Sequence, residues 1–122
     1  MKILVVSAHP DDEVIGMGGT LGKISKKHEI EVLFLADGIT ARKSGGHKNN
    51  PEYETKKTDV DQMKEEIEIR KKHAKKALSV LGIKKMKFLD LPDNELDIVP
   101  FLKIVKHVEK EILKSKCEMI FT

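Results

Sequence analysis

A histidine and three carboxylates follow a short apolar run near the start of the chain: His9, Asp11, Asp12 and Glu13. If that run is a strand of an open α/β sheet, these side chains stand at its carboxyl end, where such sheets bind ligands. Neighbouring acids repel one another unless a cation compensates, and a nitrogen with an oxygen ligand suits zinc or a similar divalent ion. The cluster therefore indicates a metal site in which a spare carboxylate takes a proton from water.

The same cluster also has a purely structural interpretation. His9 could cap a helix or pack in the core, and the acids could lie at a helix N-terminus, where the helix dipole favours negative charge. The spacing alone does not decide, because His-x-x-Asp arises often by chance. The context favours the metal, since Pro10 in the turn and a glycine cluster at 16–22 fit a backbone that approaches a ligand closely.

The glycine cluster suggests a nucleotide-binding alternative. A dinucleotide fold has a strand, a glycine-rich turn, a helix and an acid about 20 residues further on, and Asp37 ends the second predicted strand. The spacing does not match, because Leu21 occupies the place of the third small residue and the glycines begin well after the strand. The simpler interpretation is a glycine-rich first helix packed closely on the sheet.

Short β-rich runs alternate with longer helical periodicities, which predicts a three-layer Rossmann-like α/β sandwich with a mostly parallel sheet. The predicted strands cover residues 2–8, 30–36, 86–91 and 119–121, and the predicted helices cover 14–28, 60–81 and 100–116. Residues 37–59 are predicted to form a long loop, and loops of that length are usually functional or mobile.

The predicted helix at 60–81 has a charged residue within its apolar stripe. Arg70 shares a face with a set of apolar residues: Met63, Ile67, Ala74, Ala77, Leu78 and Leu81. Either the arginine snorkels or forms a structural ion pair, or it points a fixed cation into a cleft at the sheet edge. The neighbouring lysines are predicted to be solvated: Lys71, Lys72, Lys75 and Lys76.

The same periodicity predicts which face of the last helix is buried. It places four apolar residues against the sheet: Phe101, Val105, Val108 and Ile112. It places His107 on the opposite, solvated face.

Length and composition narrow the class of protein. The 122 residues suffice for one domain, and a net charge of +3 with only two arginines favours no nucleic-acid partner. No apolar run approaches the ~20 residues that cross a bilayer, and the first run is too short for a signal peptide. The sequence therefore predicts a protein without a membrane span. The single cysteine, Cys117, allows no internal disulfide, which agrees with a cytoplasmic location.

The segment at 3–13, ILVVSAHPDDE, resembles the opening of the PIG-L / LmbE-like de-N-acetylases. These are zinc hydrolases that remove acetyl groups from N-acetylglucosamine units. The resemblance continues through Gly16, Gly18, Gly19 and Thr20, through ADG at 36–38, RKKHAKKALSVLG at 70–82 and LPDN at 91–94. It covers nearly all of the chain but only about the first half of a family domain.

The resemblance implies roles for individual residues. His9 and Asp12 would bind one Zn²⁺, for which other divalent ions could substitute, and Asp11 would act as the general base. Arg70 and Asp93 would contact a small amino-sugar substrate. The family's third zinc-binding histidine and its oxyanion-stabilising histidine follow a strand that resembles 117–122, so both are expected beyond Thr122.

The sequence therefore predicts that residues 1–122 are the N-terminal part of a single LmbE-like deacetylase domain. The predicted reaction is zinc-dependent hydrolysis of the N-acetyl group of an N-acetylglucosamine-type sugar or glycoconjugate. Two alternatives stay open, a noncatalytic metal-binding or sugar-binding fragment and a nucleotide-binding α/β domain. An unfinished sheet edge after Thr122 would favour a homo-oligomer. Among the other histidines, only His47 lies in a loop long enough to fold across the cleft.

Overall fold

The computed structural model describes residues 1–39, 57–93 and 95–122, with the side chains of all of these except 57–62. This part of the chain contains four strands: β1 (Lys2–Ser7), β2 (Glu29–Ala36), β3 (Lys85–Leu91) and β4 (Met119–Phe121). It also contains α1 (Asp12–Ile24), α2 (Lys57–Val80), a short 3-10 helix (Leu96–Ile98) and α3 (Phe101–Ser115). Every predicted strand and helix is present. Residues 40–56 of the predicted long loop, including His47, lie outside the described residues.

The strands form one parallel sheet in the order β3-β2-β1-β4. β1 pairs with β2 along its whole length, from Lys2 opposite Glu29 to Ser7 opposite Phe34, and with β4 on its other side. The predicted α/β fold with a parallel sheet is confirmed. Because the strand order reverses between β1 and β4, the carboxyl end of β1 lies at the switch point where open α/β sheets bind ligands.

The main core lies between one face of the sheet and helices α1 and α2. Alternate residues of the first two strands point into it: Ile3, Val5, Ile30, Val32 and Phe34. Leu21 of α1 and Leu78 of α2 cover them, and the ring of Phe34 stacks on Phe88 of β3 with 4.9 Å between the centroids. Side chains from every second strand residue and from one face of each helix therefore pack into a single apolar layer.

The stripe predicted on α2 is confirmed, including its charged residue. Ala74 and Leu78 are buried, and Arg70 is half-buried on the same side. The helix ends as predicted before Gly82, whose φ of +81° is a left-handed conformation that suits glycine. Lys72, Lys75 and Lys76 are exposed as predicted, whereas Lys71 contacts β3.

The face predicted for α3 is only partly right. Val108 and Ile112 are half-buried, but Phe101 is 80% exposed and Val105 is also exposed, whereas Glu111 is buried and His107 is half-buried. Glu111 forms a close ion pair with Lys87, which extends from β3 on the side of the sheet opposite the main core. A buried carboxylate requires such a partner, so the helix turns a polar position inward and leaves apolar side chains outside.

The close packing predicted for the glycines of α1 is also wrong for most of them. A Cβ added at Gly16 or Gly19 would meet no described heavy atom within 4 Å, and only Gly22 approaches the end of α2, at Leu81 just after the helix. The helix is interrupted at Met17, whose φ of −148° is not helical. Glycine has a poor helix propensity, and a run of glycines is compatible with this break.

Among the described residues, no helix has the length and apolar character needed to cross a membrane.

Truncation of Leu78 tests the core between the sheet and α2. Leu78→Ala removes a fully buried side chain, so the free energy of unfolding should fall by about 2–5 kcal/mol. Val80→Ala on the same helix is the control, because Val80 is 82% exposed and its truncation should change stability by less than about 0.5 kcal/mol. Urea denaturation of both variants measures the difference. Equal losses would contradict the packing of α2 on the sheet.

Candidate functional site

Three loops meet at the carboxyl edge of the sheet and carry most of the residues of the candidate site. The turn after β1 begins α1 and contains His9, Asp11 and Asp12, and the turn after β2 contains Gly38. Asp93 follows β3. Because parallel strands end at the same edge, residues far apart in the chain come together here.

A side-chain hydrogen bond joins the loops after β1 and β3. Nε2 of His9 lies 2.8 Å from Oδ1 of Asp93, whose side chain is only 1% exposed. Since a carboxylate accepts hydrogen bonds, Nε2 donates the proton of this bond, and in the neutral imidazole the lone pair then lies on Nδ1. Nδ1 is 3.7 Å from Oδ2 of Asp12, and the same oxygen accepts the backbone N–H of His9 at 2.9 Å.

Gly38, after β2, lies directly against the imidazole of His9. A Cβ at position 38 would stand 3.1 Å from Cβ of His9 and 3.2 Å from its ring carbons. The φ of Gly38 is +73°, which is also unfavourable for other residues. Glycine therefore fits best between the end of β2 and His9, because any other residue would take an unfavourable φ and press on the imidazole.

Arg70 reaches the site from α2. Its Nη2 donates to Oδ2 of Asp11 at 2.7 Å, and its side chain is 14% exposed. Among the described residues, its Nε has no hydrogen-bond partner. The guanidinium thus forms an ion pair and also borders a cavity.

The cavity beside Arg70 lies between the start of α1 and the middle of α2. Its volume is about 260 Å³. Its wall is mixed, with charged groups and apolar side chains together: Pro10, Asp11, Glu13, Val14, Ile15, Arg70, His73, Ala74 and Ala77. A small molecule with an apolar methyl group and a polar carbonyl is chemically compatible with such a wall.

Glu13, to which the sequence assigned no role, is buried beneath the turn. Its Oε2 accepts the backbone N–H of Asp11 at 3.1 Å. Burial raises the pKa of Glu13, against the lowering effect of the backbone hydrogen bonds it accepts. The three adjacent acids therefore have different environments, because Asp11 meets Arg70, Asp12 faces His9, and Glu13 is enclosed.

The donor set around His9 fits a divalent cation. Metal-binding histidines usually donate their second ring N–H to a carboxylate, as His9 does to Asp93, which leaves the other nitrogen for the metal. Nδ1 of His9 and the carboxylate of Asp12 are partly exposed and face each other. Among residues 1–39, 57–93 and 95–122, no group of three or more histidine, cysteine or acidic side chains is arranged to hold a metal ion. This part of the chain thus brings two donors together.

Sequence reasoning identified His9, Asp11, Asp12, Arg70 and Asp93, and all five lie in or beside this site. It missed Gly38 and the contact between Asp93 and His9. The Asp-Gly pair at the end of the second strand was the available signal for a special backbone conformation, but nothing in the sequence states which side chain that glycine meets.

Two relatives match the chain over most of its length. It is 31% identical over 114 residues to a diacetylchitobiose deacetylase of Thermococcus kodakarensis, an alignment that covers 92% of this chain and 35% of that protein. Its fold is similar to that of the N,N'-diacetylchitobiose deacetylase from Pyrococcus horikoshii, with a TM-score of 0.71 and 28% identity. That superposition covers 99% of this chain and 40% of the other. The chain thus spans well under half the length of both relatives.

A third similar protein has a different reaction. The 4-carboxy-2-hydroxymuconate hydratase from Pseudomonas putida superimposes with a TM-score of 0.70 at 18% identity, over 98% of this chain and 45% of that one. Such a likeness shows the fold alone, and a fold by itself does not specify a reaction. The sequence is more specific, because residues 4–122 match the family model described as PIG-L, GlcNAc-PI de-N-acetylase. The chain therefore belongs to the PIG-L family, as its motif at 3–13 predicted.

Proposed function

We propose that this chain supplies the general base and two metal ligands of a de-N-acetylase acting on an N-acetylglucosamine-type sugar. The observation that carries the proposal is the arrangement of His9, Asp11 and Asp12 at the carboxyl edge of β1, with an imidazole oriented by a buried carboxylate. Membership of the PIG-L family and the names of the two deacetylases support the reaction class. The whole protein's activity is part of the proposal, because the chain spans only part of these relatives.

His9 through Nδ1 and Asp12 through its carboxylate would hold the divalent ion, which we propose to be zinc. A further ligand and an oxyanion-stabilising histidine would come from sequence beyond Thr122, in the same domain. When bound, such an ion acts as a Lewis acid that polarises the acetyl carbonyl and makes water more acidic.

Asp11 is the proposed general base. Its carboxylate takes a proton from water while the water oxygen bonds to the acetyl carbon, and the proton then passes to the sugar nitrogen as the C–N bond breaks. The products are acetate and the free amine. The hydrogen bond from Arg70 at 2.7 Å and that from the Asp11 N–H to Glu13 at 3.1 Å restrain the base for this transfer.

The substrate would enter the cavity between α1 and α2. Arg70 would contact the acetamido group or a sugar oxygen there, and the apolar walls at Val14 and Ala74 would receive the methyl group. Asp93 is also predicted to contact the sugar. Its carboxylate accepts a hydrogen bond from His9, so we propose that Asp93 also orients that imidazole. The cytoplasmic location and the small amino-sugar substrate stay predictions from the sequence.

Replacement of Asp11 tests the base. In the longest natural protein that contains residues 1–122, Asp11→Asn should lower the rate of acetate release from N-acetylglucosamine oligosaccharides by at least about 100-fold, since the amide cannot accept the proton. Zinc content by elemental analysis should stay unchanged. Asp97→Asn, at an exposed position, is the control and should leave the rate unaltered. Normal turnover by Asp11→Asn would overturn the assignment, and zinc binding without turnover in the unmodified protein would favour the noncatalytic alternative.

Gly38→Ala tests His9 as a metal ligand. The added methyl group would collide with the imidazole, so the affinity for zinc should fall by about tenfold or more, as for other losses of ligand orientation. Gly19→Ala is a matched control, because the same methyl group meets open space there. Competition with a chromophoric chelator measures both affinities. If the two variants bind zinc equally well, His9 does not hold the metal.

Arg70→Met distinguishes the two interpretations of the buried cation. If Arg70 orients substrate, the variant should show a KM raised or a kcat lowered by about tenfold or more, with a nearly unchanged melting temperature. Lys72→Met, on the exposed side of the same helix, should behave like the unmodified protein. A lower melting temperature with unchanged kinetics would instead show that the ion pair with Asp11 is structural.

A further inference from the structure

β3 contains an irregularity just before the site. Four consecutive pairs align β2 with β3, from Glu31 opposite Lys85 to Phe34 opposite Phe88, but the next pair is Ala36 opposite Leu91. β3 therefore uses one residue more than β2 over this step, which is a β-bulge. Bulges are rare in parallel pairs and often re-aim a side chain next to an active site.

One of the two β3 residues inside this bulge, Leu89 and Asp90, has an unusual backbone conformation. Asp90 has a φ of +52°, in the left-handed region that most non-glycine residues avoid and that aspartate and asparagine tolerate better. Its carboxylate accepts a hydrogen bond from Nζ of Lys71 at 2.8 Å, and that ammonium also lies 5.3 Å from the ring centroid of Phe88. The Asp90 side chain is 56% exposed, so the ion pair adds little stability. The backbone conformation is then the feature that requires an explanation.

The bulge decides where the following side chains point. Because of the bulge at Leu89 and Asp90, the buried Leu91 stands opposite Ala36, and Asp93 two residues later meets His9. A regular strand would advance every later residue by one position, which turns each side chain to the other face. Asp93 would then leave the imidazole of His9.

α2 stabilises this arrangement through consecutive residues. Arg70 bonds to Asp11 after β1, and Lys71 bonds to Asp90 in β3. One turn of helix thus contacts both the proposed base and the bulge that precedes the histidine's partner.

We propose that Asp90 is a positioning residue. Its left-handed backbone sets the carboxylate of Asp93 on Nε2 of His9 and so directs Nδ1 of His9 towards Asp12. Asp90 acts only through Asp93 and His9. The consequence for metal binding rests on the proposed function, whereas the effect on the imidazole does not.

The test compares three substitutions at position 90. Asp90→Val and Asp90→Gly both remove the carboxylate, but only glycine adopts a positive φ at little cost, so the pair isolates the backbone conformation. Asp90→Asn is the conservative variant. The tautomer of His9 is measured by nitrogen NMR of the imidazole in the metal-free chain, and zinc affinity is measured by chelator competition in the longest natural protein that contains residues 1–122.

We expect Asp90→Val to lose the single Nε2–H tautomer and to bind zinc at least about tenfold more weakly, as when a ligand's orienting partner is lost. Asp90→Gly and Asp90→Asn should keep the tautomer and bind zinc within about twofold of the unmodified protein. If the valine variant does not fold, Asp90→Ala replaces it, since alanine differs from glycine by one methyl group and still resists a positive φ.

Two results would overturn the proposal. One is the same His9 tautomer in the valine and glycine variants, and the other is a lower melting temperature with unchanged tautomer and zinc affinity, which marks a merely structural role. If the unmodified protein binds no zinc, the proposed function fails, and the tautomers alone then decide the role of Asp90.

Discussion

The hydrogen bond between His9 and Asp93 is the contact on which the rest of the site depends. It joins residues 84 positions apart, across the end of β2, which lies between their strands. Gly38 leaves room for the imidazole at the end of β2, and the bulge in β3 at Leu89 and Asp90 precedes Asp93. Because the side chain of Asp93 is only 1% exposed, water competes little for this hydrogen bond.

The turn after β1 separates three adjacent carboxylates by giving each a different environment. Asp11 is paired with Arg70, Asp12 faces the free nitrogen of His9, and Glu13 is enclosed so that burial raises its pKa. Neighbouring acids with separate environments can take separate roles, as pairs of catalytic carboxylates commonly do. This supports one acid as a base and another as a ligand within a single turn.

The sheet and the site carry different kinds of information about function. A hydratase shares the fold at 18% identity, so the arrangement of strands and helices does not by itself imply amide hydrolysis. The match to the PIG-L family spans residues 4–122 and includes the motif that forms the turn. The proposed reaction class therefore depends on the motif and on the geometry of His9, Asp11 and Asp12, and not on the fold.

The sequence by itself determined the order of strands and helices, the acidic turn and the buried position of Arg70, because each is encoded in local periodicity or in adjacent residues. Tertiary structure decided the contact of Asp93 with His9, the role of Gly38 and the inward face of α3. The face of α3 depends on Lys87 of another strand, which draws Glu111 inward against the apolar pattern. Such pairings depend on which residues the sheet brings together, and the periodicity of one segment contains no information about its partners.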